Sequence, residues 1–143
     1  MNIISALRAA PRFFRFAFIG AVGFVIDTTI LYGAIGLFGA SLYGARAVSF
    51  LCSATCTWYM NRGLTFPDRR SSQLGREWLR FVICNCVGGA VNYCVFAAYV
   101  HYSTASPFGP LIGVALGSIA GLGVNYTLSK QLVFVGRESA AGP

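Results

Sequence analysis

The chain carries one pattern twice. Arg15-Phe16, Gly23 and Asp27 are matched 65 positions later by Arg80-Phe81, Gly88 and Asn92. Further along, Ala45, Ser49, Ser53 and Thr57 match Gly113, Gly117, Gly121 and Asn125 at an offset of 68. Each unit then closes on a basic residue and a phenylalanine, Arg62 to Phe66 and Lys130 to Phe134. Such a repeat reduces the fold to one module used twice. The units span roughly 12–66 and 77–134 within a single domain, 1–143.

Apolar stretches define the module. Four are present, roughly Phe16–Phe38, Tyr43–Met60, Leu79–Val100 and Leu111–Leu128. Each lies near the ~20 residues that cross a bilayer as a helix. With 56% apolar and only 10% charged residues, the chain has little with which to cover the surface of a soluble fold. The expectation is an all-α membrane protein with four transmembrane helices. A pair of crossings returns to its starting side, so the second copy is inserted like the first. That makes the two helical hairpins parallel repeats about an axis along the membrane normal.

The net charge of +7 would suit nucleic acid, but its placement speaks for a membrane. Arg8, Arg12 and Arg15 precede the first stretch, Arg62, Arg69, Arg70, Arg76 and Arg80 lie between the second and third, and Lys130 and Arg137 follow the fourth. Only Arg46 falls on the other side. This asymmetry predicts a multi-pass protein of the cytoplasmic (inner) membrane with both termini and the central loop in the cytoplasm. The first stretch is too long for a signal peptide and carries Asp27 at its middle, so it is expected to be retained. Cys52, Cys56, Cys84, Cys86 and Cys94 all fall inside the stretches without a CxxC pair and read as packing residues. With four acidic residues, one histidine and no nucleophile–base pair, neither enzyme activity nor a metal or other cofactor is expected.

Gly20, Gly23 and Asp27 share one helical face, as do Asn85, Gly88 and Asn92. The small-residue stripes of the second and fourth stretches read as packing faces and end in Thr57 and Asn125. Convergence of these stripes predicts a narrow polar interior opening toward the cytoplasm. An ionised carboxylate in that position costs at least ~2.5–3.5 kcal/mol on insertion scales. Three roles for Asp27 stand side by side: a hydrogen bond to Asn92, contact with a polar substrate or a carried proton, and pairing with Arg46. The repeat also sets Arg15 level with Arg80, and Arg62 level with Lys130, at headgroup height. Besides orienting the protein, these side chains are candidates for gripping a phosphate. Trp58 and Trp78 are expected as interfacial anchors.

The segments Arg15-Phe16 through Gly20, Gly23 and Asp27, then Asn61-Arg62-Gly63-Leu64-Thr65-Phe66, Arg80-Phe81, and Asn125-Tyr126 through Lys130-Gln131-Leu132-Val133-Phe134, resemble the GtrA-like family. The chain departs from the usual pattern at Thr57-Trp58, where Asn-aromatic is common, and at Leu64 and Leu132, where Trp is favoured. The resemblance implies a part in cell-surface polysaccharide synthesis, moving polyprenyl-phosphate-linked sugars across the cytoplasmic membrane. It makes Asp27, Asn92, Asn125, Asn61, Arg15, Arg80, Arg62 and Lys130 the candidate substrate-binding residues. Membrane lipid and the lipid-linked sugar are the expected partners. Four helices are few for the task, so a homo-oligomer or a glycosyltransferase partner is also expected. An alternative is a scaffold that anchors such a glycosyltransferase and moves nothing. A further alternative, a proton antiporter of the small multidrug-resistance type, lacks the arginine-rich central loop and uses Glu where this chain has Asp27.

Overall fold

The computed structural model describes residues 3–102 and 109–135, with no strand among them. A short helix, α1 (Ile3–Ala9), precedes four long ones: α2 (Arg12–Phe38), α3 (Leu42–Met60), α4 (Leu74–Tyr102) and α5 (Gly109–Leu128). Pro11 separates α1 from α2, since proline supplies no amide to continue the first helix. The long helices pack as two antiparallel pairs, α2 with α3 and α4 with α5.

Gly39 makes the first hairpin turn. Its φ of 62° is left-handed, which glycine adopts without a Cβ clash, and its N–H donates to the Ile35 carbonyl. Ser41 then caps α3 by accepting from the Gly44 amide at 3.2 Å. The turn of the second hairpin lies outside the described residues.

The helices begin earlier than the apolar stretches. α2 starts at Arg12 rather than Phe16, and α4 at Leu74 rather than Leu79. Both take their arginines into the first turns, because a helix continues past the apolar layer as long as its charged side chains can reach water. α1 was not foreseen. Among the described residues, three helical segments are long and apolar enough to cross a membrane: Arg12–Phe38, Leu74–Tyr102 and Ile112–Val133. α3 has 19 residues, about 28 Å of rise at 1.5 Å per residue, but Arg46, Ser49, Ser53, Thr55 and Thr57 dilute its apolarity. Large apolar side chains such as Phe24, Tyr32, Phe38 and Ile119 point outward, as suits a chain solvated by lipid.

Both α3 and α5 end in a feature that the sequence pattern does not announce. Each runs into a five-residue π-helical turn, Asn61–Thr65 and Ser129–Val133. The Phe66 amide donates to the Asn61 carbonyl at 2.8 Å, and the Phe134 amide to the Ser129 carbonyl at 2.9 Å. These wide turns swing the closing phenylalanines inward. Phe66 and Phe134 are fully buried and stack on each other, centroids 4.7 Å apart and rings 16° from parallel. Phe16 packs edge-on to Phe66 and Phe81 edge-on to Phe134. The apolar core of the molecule is therefore an aromatic knot at one end, made from equivalent residues of the two repeat units. Tyr126 extends it toward Phe13 and Phe16.

Outside the apolar layer, Arg12 reaches Asp68 at 2.9 Å and ties the start of α2 to the central loop. Partial loss of water works against the Asp68 carboxylate. Its own backbone N–H and the guanidinium groups of Arg12 and Arg69 outweigh that, and hold the carboxyl below its ordinary value. A depressed carboxyl contributes above its unfolded value and is lost only in acid, so the tie is complete at neutral pH.

Candidate functional site

The repeat unit builds its polar positions by the same trade of volume in each hairpin. Gly23 of α2 lies against Thr57 of α3, and a Cβ there would collide with the threonine methyl. Gly88 of α4 lies against Asn125 of α5, and a Cβ there would collide with the amide. The missing side chain on one helix makes room for the polar one on its partner. Ser53 strengthens the first pair by donating to the Gly23 carbonyl at 2.7 Å.

Gly23, Ser53, Thr57 and Asn125 line a cavity of about 240 Å³ between the hairpins. Its polar wall consists of Asp27, Ser53, Thr57, Asn61, Asn85 and Asn125, and its apolar wall includes Phe24, Phe50 and Leu122. The expected polar interior thus exists, and the buried rings of Phe16 and Phe81 line it toward the end where the π turns lie. The hydrogen bonds and ring contacts that join the hairpins also cluster at that end, from Trp58 to Glu77, Trp78 to Thr55, Arg69 to the Lys130 carbonyl, and through the aromatic knot.

Asp27 pairs with Arg46, whose Nη1 donates to its Oδ2. Arg46 enters from the far end of α3 on a long, half-exposed side chain, and it offsets the charge that would otherwise be costly between apolar helices. The hydrogen bond to Asn92 is not formed. Asn92 faces α5 instead, packed against Gly117 and Gly121, and does not line the cavity. The two equivalent positions therefore do different things. The other carboxylate oxygen, Asp27 Oδ1, is buried and has no hydrogen-bond partner among the described residues, and the same holds for Asn125 Oδ1. Asn61 is buried and accepts from Thr65 at 2.8 Å.

The four basic candidates separate into engaged and free side chains. Arg15 Nη1 donates to the Leu64 carbonyl at 2.6 Å, and Arg80 Nη1 to the Leu132 carbonyl at 3.4 Å. Leu64 and Leu132 occupy equivalent places in the two π turns, where the closing carbonyls lack helical partners. Each Arg-Phe pair is thus one device: the arginine caps the turn that its phenylalanine packs under. Arg15 is half-buried, whereas Arg80 is exposed beside an apolar groove lined by Ile83, Cys84, Leu132 and Val135. Arg62 is spent internally, with Nε on Glu77 Oε1 at 2.9 Å and Nη2 on the Ser71 carbonyl at 2.6 Å. Its counterpart Lys130 is exposed.

Glu77 was missed. It is 2% exposed and accepts from Trp58 Nε1 at 3.0 Å, from Arg62 and from the Ser71 amide at 2.8 Å. One carboxylate thereby joins α3, α4 and the central loop. Trp58 is a donor to this buried group, and Trp78 donates to Thr55 across the hairpins, so both tryptophans bond to protein. The available signal was scarcity, since Glu77 is one of four acidic residues in a basic chain.

Residues 15–134 match the family described as GtrA/DPMS, transmembrane domain. No curated protein matches the chain.

Proposed function

The chain belongs to the GtrA/DPMS transmembrane-domain family, and on that premise we propose that it moves a polyprenyl-phosphate-linked sugar across the cytoplasmic membrane during cell-surface polysaccharide synthesis. The observation that carries this reading is the polar cavity between two hairpins whose other surfaces are apolar. A headgroup bearing hydroxyls cannot cross hydrocarbon without partners for them, and a cleft lined by six polar side chains offers such partners. The prenyl tail stays in lipid alongside. Exposed Arg80, at the mouth of an apolar groove, is placed to meet the lipid phosphate while the groove takes the first part of the chain. Nothing in the reading requires the protein to make or break a covalent bond.

α3 completes the topology as a fourth crossing, with both termini and the 66–73 loop in the cytoplasm. Its polar residues are tolerated because Ser49, Ser53 and Thr57 each donate to a backbone carbonyl. Single cysteines placed at Ser72 and at Ala40, in a background without the native cysteines, test this. The first should react only after the inner membrane is made permeable, and the second in intact spheroplasts; the reverse pattern would overturn the orientation.

Translocation is tested by reconstituting the purified protein in liposomes with a fluorescent prenyl-phospho-sugar and a membrane-impermeant quencher. Acceleration over empty liposomes is expected. Liposomes no faster than controls, together with co-purification of a glycosyltransferase, would replace this reading by that of a membrane scaffold.

A further inference from the structure

The cavity's hydrogen-bonding inventory mixes acceptors and neutral donors. Ser53 spends its hydroxyl hydrogen on the Gly23 carbonyl at 2.7 Å, and Thr57 spends its own on the Ser53 carbonyl at 2.9 Å or that of Ala54 at 3.1 Å. Asn85 turns an amide hydrogen back to the Phe81 carbonyl at 2.9 Å. What the two hydroxyls still offer the cavity is lone pairs. Asp27 Oδ1 and Asn125 Oδ1 are two more acceptors on residues of the wall, both buried and without partners among the described residues, the second turned toward Gly88. Beside these stand, as donors, the amide N–H groups of Asn61 and Asn125 and the second amide hydrogen of Asn85. Among the described residues no lysine or arginine lines the space, and Arg46 reaches its wall only as the partner of Asp27 Oδ2.

We infer that this cavity receives the hydroxyl-bearing sugar ring, and not the phosphate, with Asp27, Thr57 and Asn125 as its specificity-determining acceptors. The inference rests on the translocation reading and divides the substrate between two places. A phosphate is acceptor-only and needs donors or cations, while Asp27, whose charge is already paired with Arg46, presents it only an acceptor oxygen. A sugar ring brings several O–H donors, and each buried acceptor it satisfies removes the penalty of an unmade hydrogen bond. The size agrees. About 240 Å³ is below the roughly 300–1,000 Å³ of clefts that hold drug-sized ligands, and equals the liquid share of about eight waters. One ring fits such a space.

The experiment measures binding rather than transport. Purified protein in lipid nanodiscs is titrated with a short prenyl phosphate, bare or carrying glucose, galactose or mannose. At least one glycosylated form should bind about tenfold more tightly than the bare lipid, the gain expected from one or two good hydrogen bonds. Asn125→Ala should abolish that preference and leave the affinity for the bare lipid unchanged. Its ligand-free Tm should change little, because the volume lost against Gly88 is set against the removal of a buried acceptor that has no partner. A merely structural asparagine would instead lower Tm and weaken both lipids together. Thr57→Val keeps the shape against Gly23 and should reduce the preference in the same way, so the test survives if Asn125→Ala folds poorly. Equal binding of bare and glycosylated lipids by the unaltered protein would overturn the inference. So would binding of tetraphenylphosphonium in the absence of any sugar preference, which would make the space a cation site. A sugar preference without lipid movement in liposomes would remove translocation and leave this assignment standing, whereas movement without preference would do the opposite.

Discussion

Glu77→Ala is expected to lower the stability of the protein by about 3–5 kcal/mol, the range for removing one partner of a buried ion pair. The side chain of Glu77 is fully buried and that of Arg62 is 19% exposed, so little solvent screening is available to soften the loss. Trp58 Nε1 and the Ser71 amide lose their acceptor in the same step. Three elements then come apart at once, because the carboxylate is what α3, α4 and the central loop share. A fall in Tm of roughly 10 °C in detergent is the corresponding readout for a chain of this size. Glu77→Gln, which keeps an acceptor oxygen without the charge, should fall between the two. A Glu77→Ala protein that melts with the unaltered one would show that Arg62 finds a substitute and that this hub is dispensable.

Glu77 also marks a limit of reading the chain. Apolar length, the one-sided arginines and the small-residue stripes are periodic, and periodic features translate directly into helices, packing faces and a polar interior. The pairing of Gly23 with Thr57 and of Gly88 with Asn125 follows the repeat in the same way. What the pattern does not encode is where a long side chain ends. Arg15, Arg62 and Arg80 are alike in sequence terms, all basic and all near the headgroup layer. In the structure two cap the π turns, Arg15 from a half-buried position and Arg80 exposed beside a groove, and Arg62 is consumed by Glu77. The π turns were equally invisible, since a five-residue turn and a regular helix end place Phe66 and Phe134 at the same sequence spacing. Asp27 was placed on its face by periodicity, but the choice of Arg46 over Asn92 depended on Asn92 being committed to the gap left by Gly117 and Gly121.

That gap is also the basis of the second large effect. Gly121→Ala is expected to destabilise the α4–α5 hairpin by about 1–3 kcal/mol, the usual range for forcing extra volume into a packed contact, with Gly121→Val beyond it. A Cβ at Gly121 would stand 2.8 Å from the Gly88 carbonyl oxygen and 2.9 Å from Asn92 Cβ. The first of these is backbone and cannot rotate away, so the helices must separate. Separation matters beyond the hairpin, because Gly88 also leaves the space in which Asn125 sits. In lipid, where burying apolar surface gives helices little reason to associate, such close approach supplies much of the attraction. Gly123→Ala is the matched comparison. It lies two residues along the same helix and would meet nothing within 4 Å, so it should leave Tm unchanged or raise it through better helix propensity. Thermal melts of the two variants in the same detergent decide the matter. Equal melting would mean that the glycine stripe of α5 is a matter of composition and not of contact, and the cavity would then need another explanation for its shape.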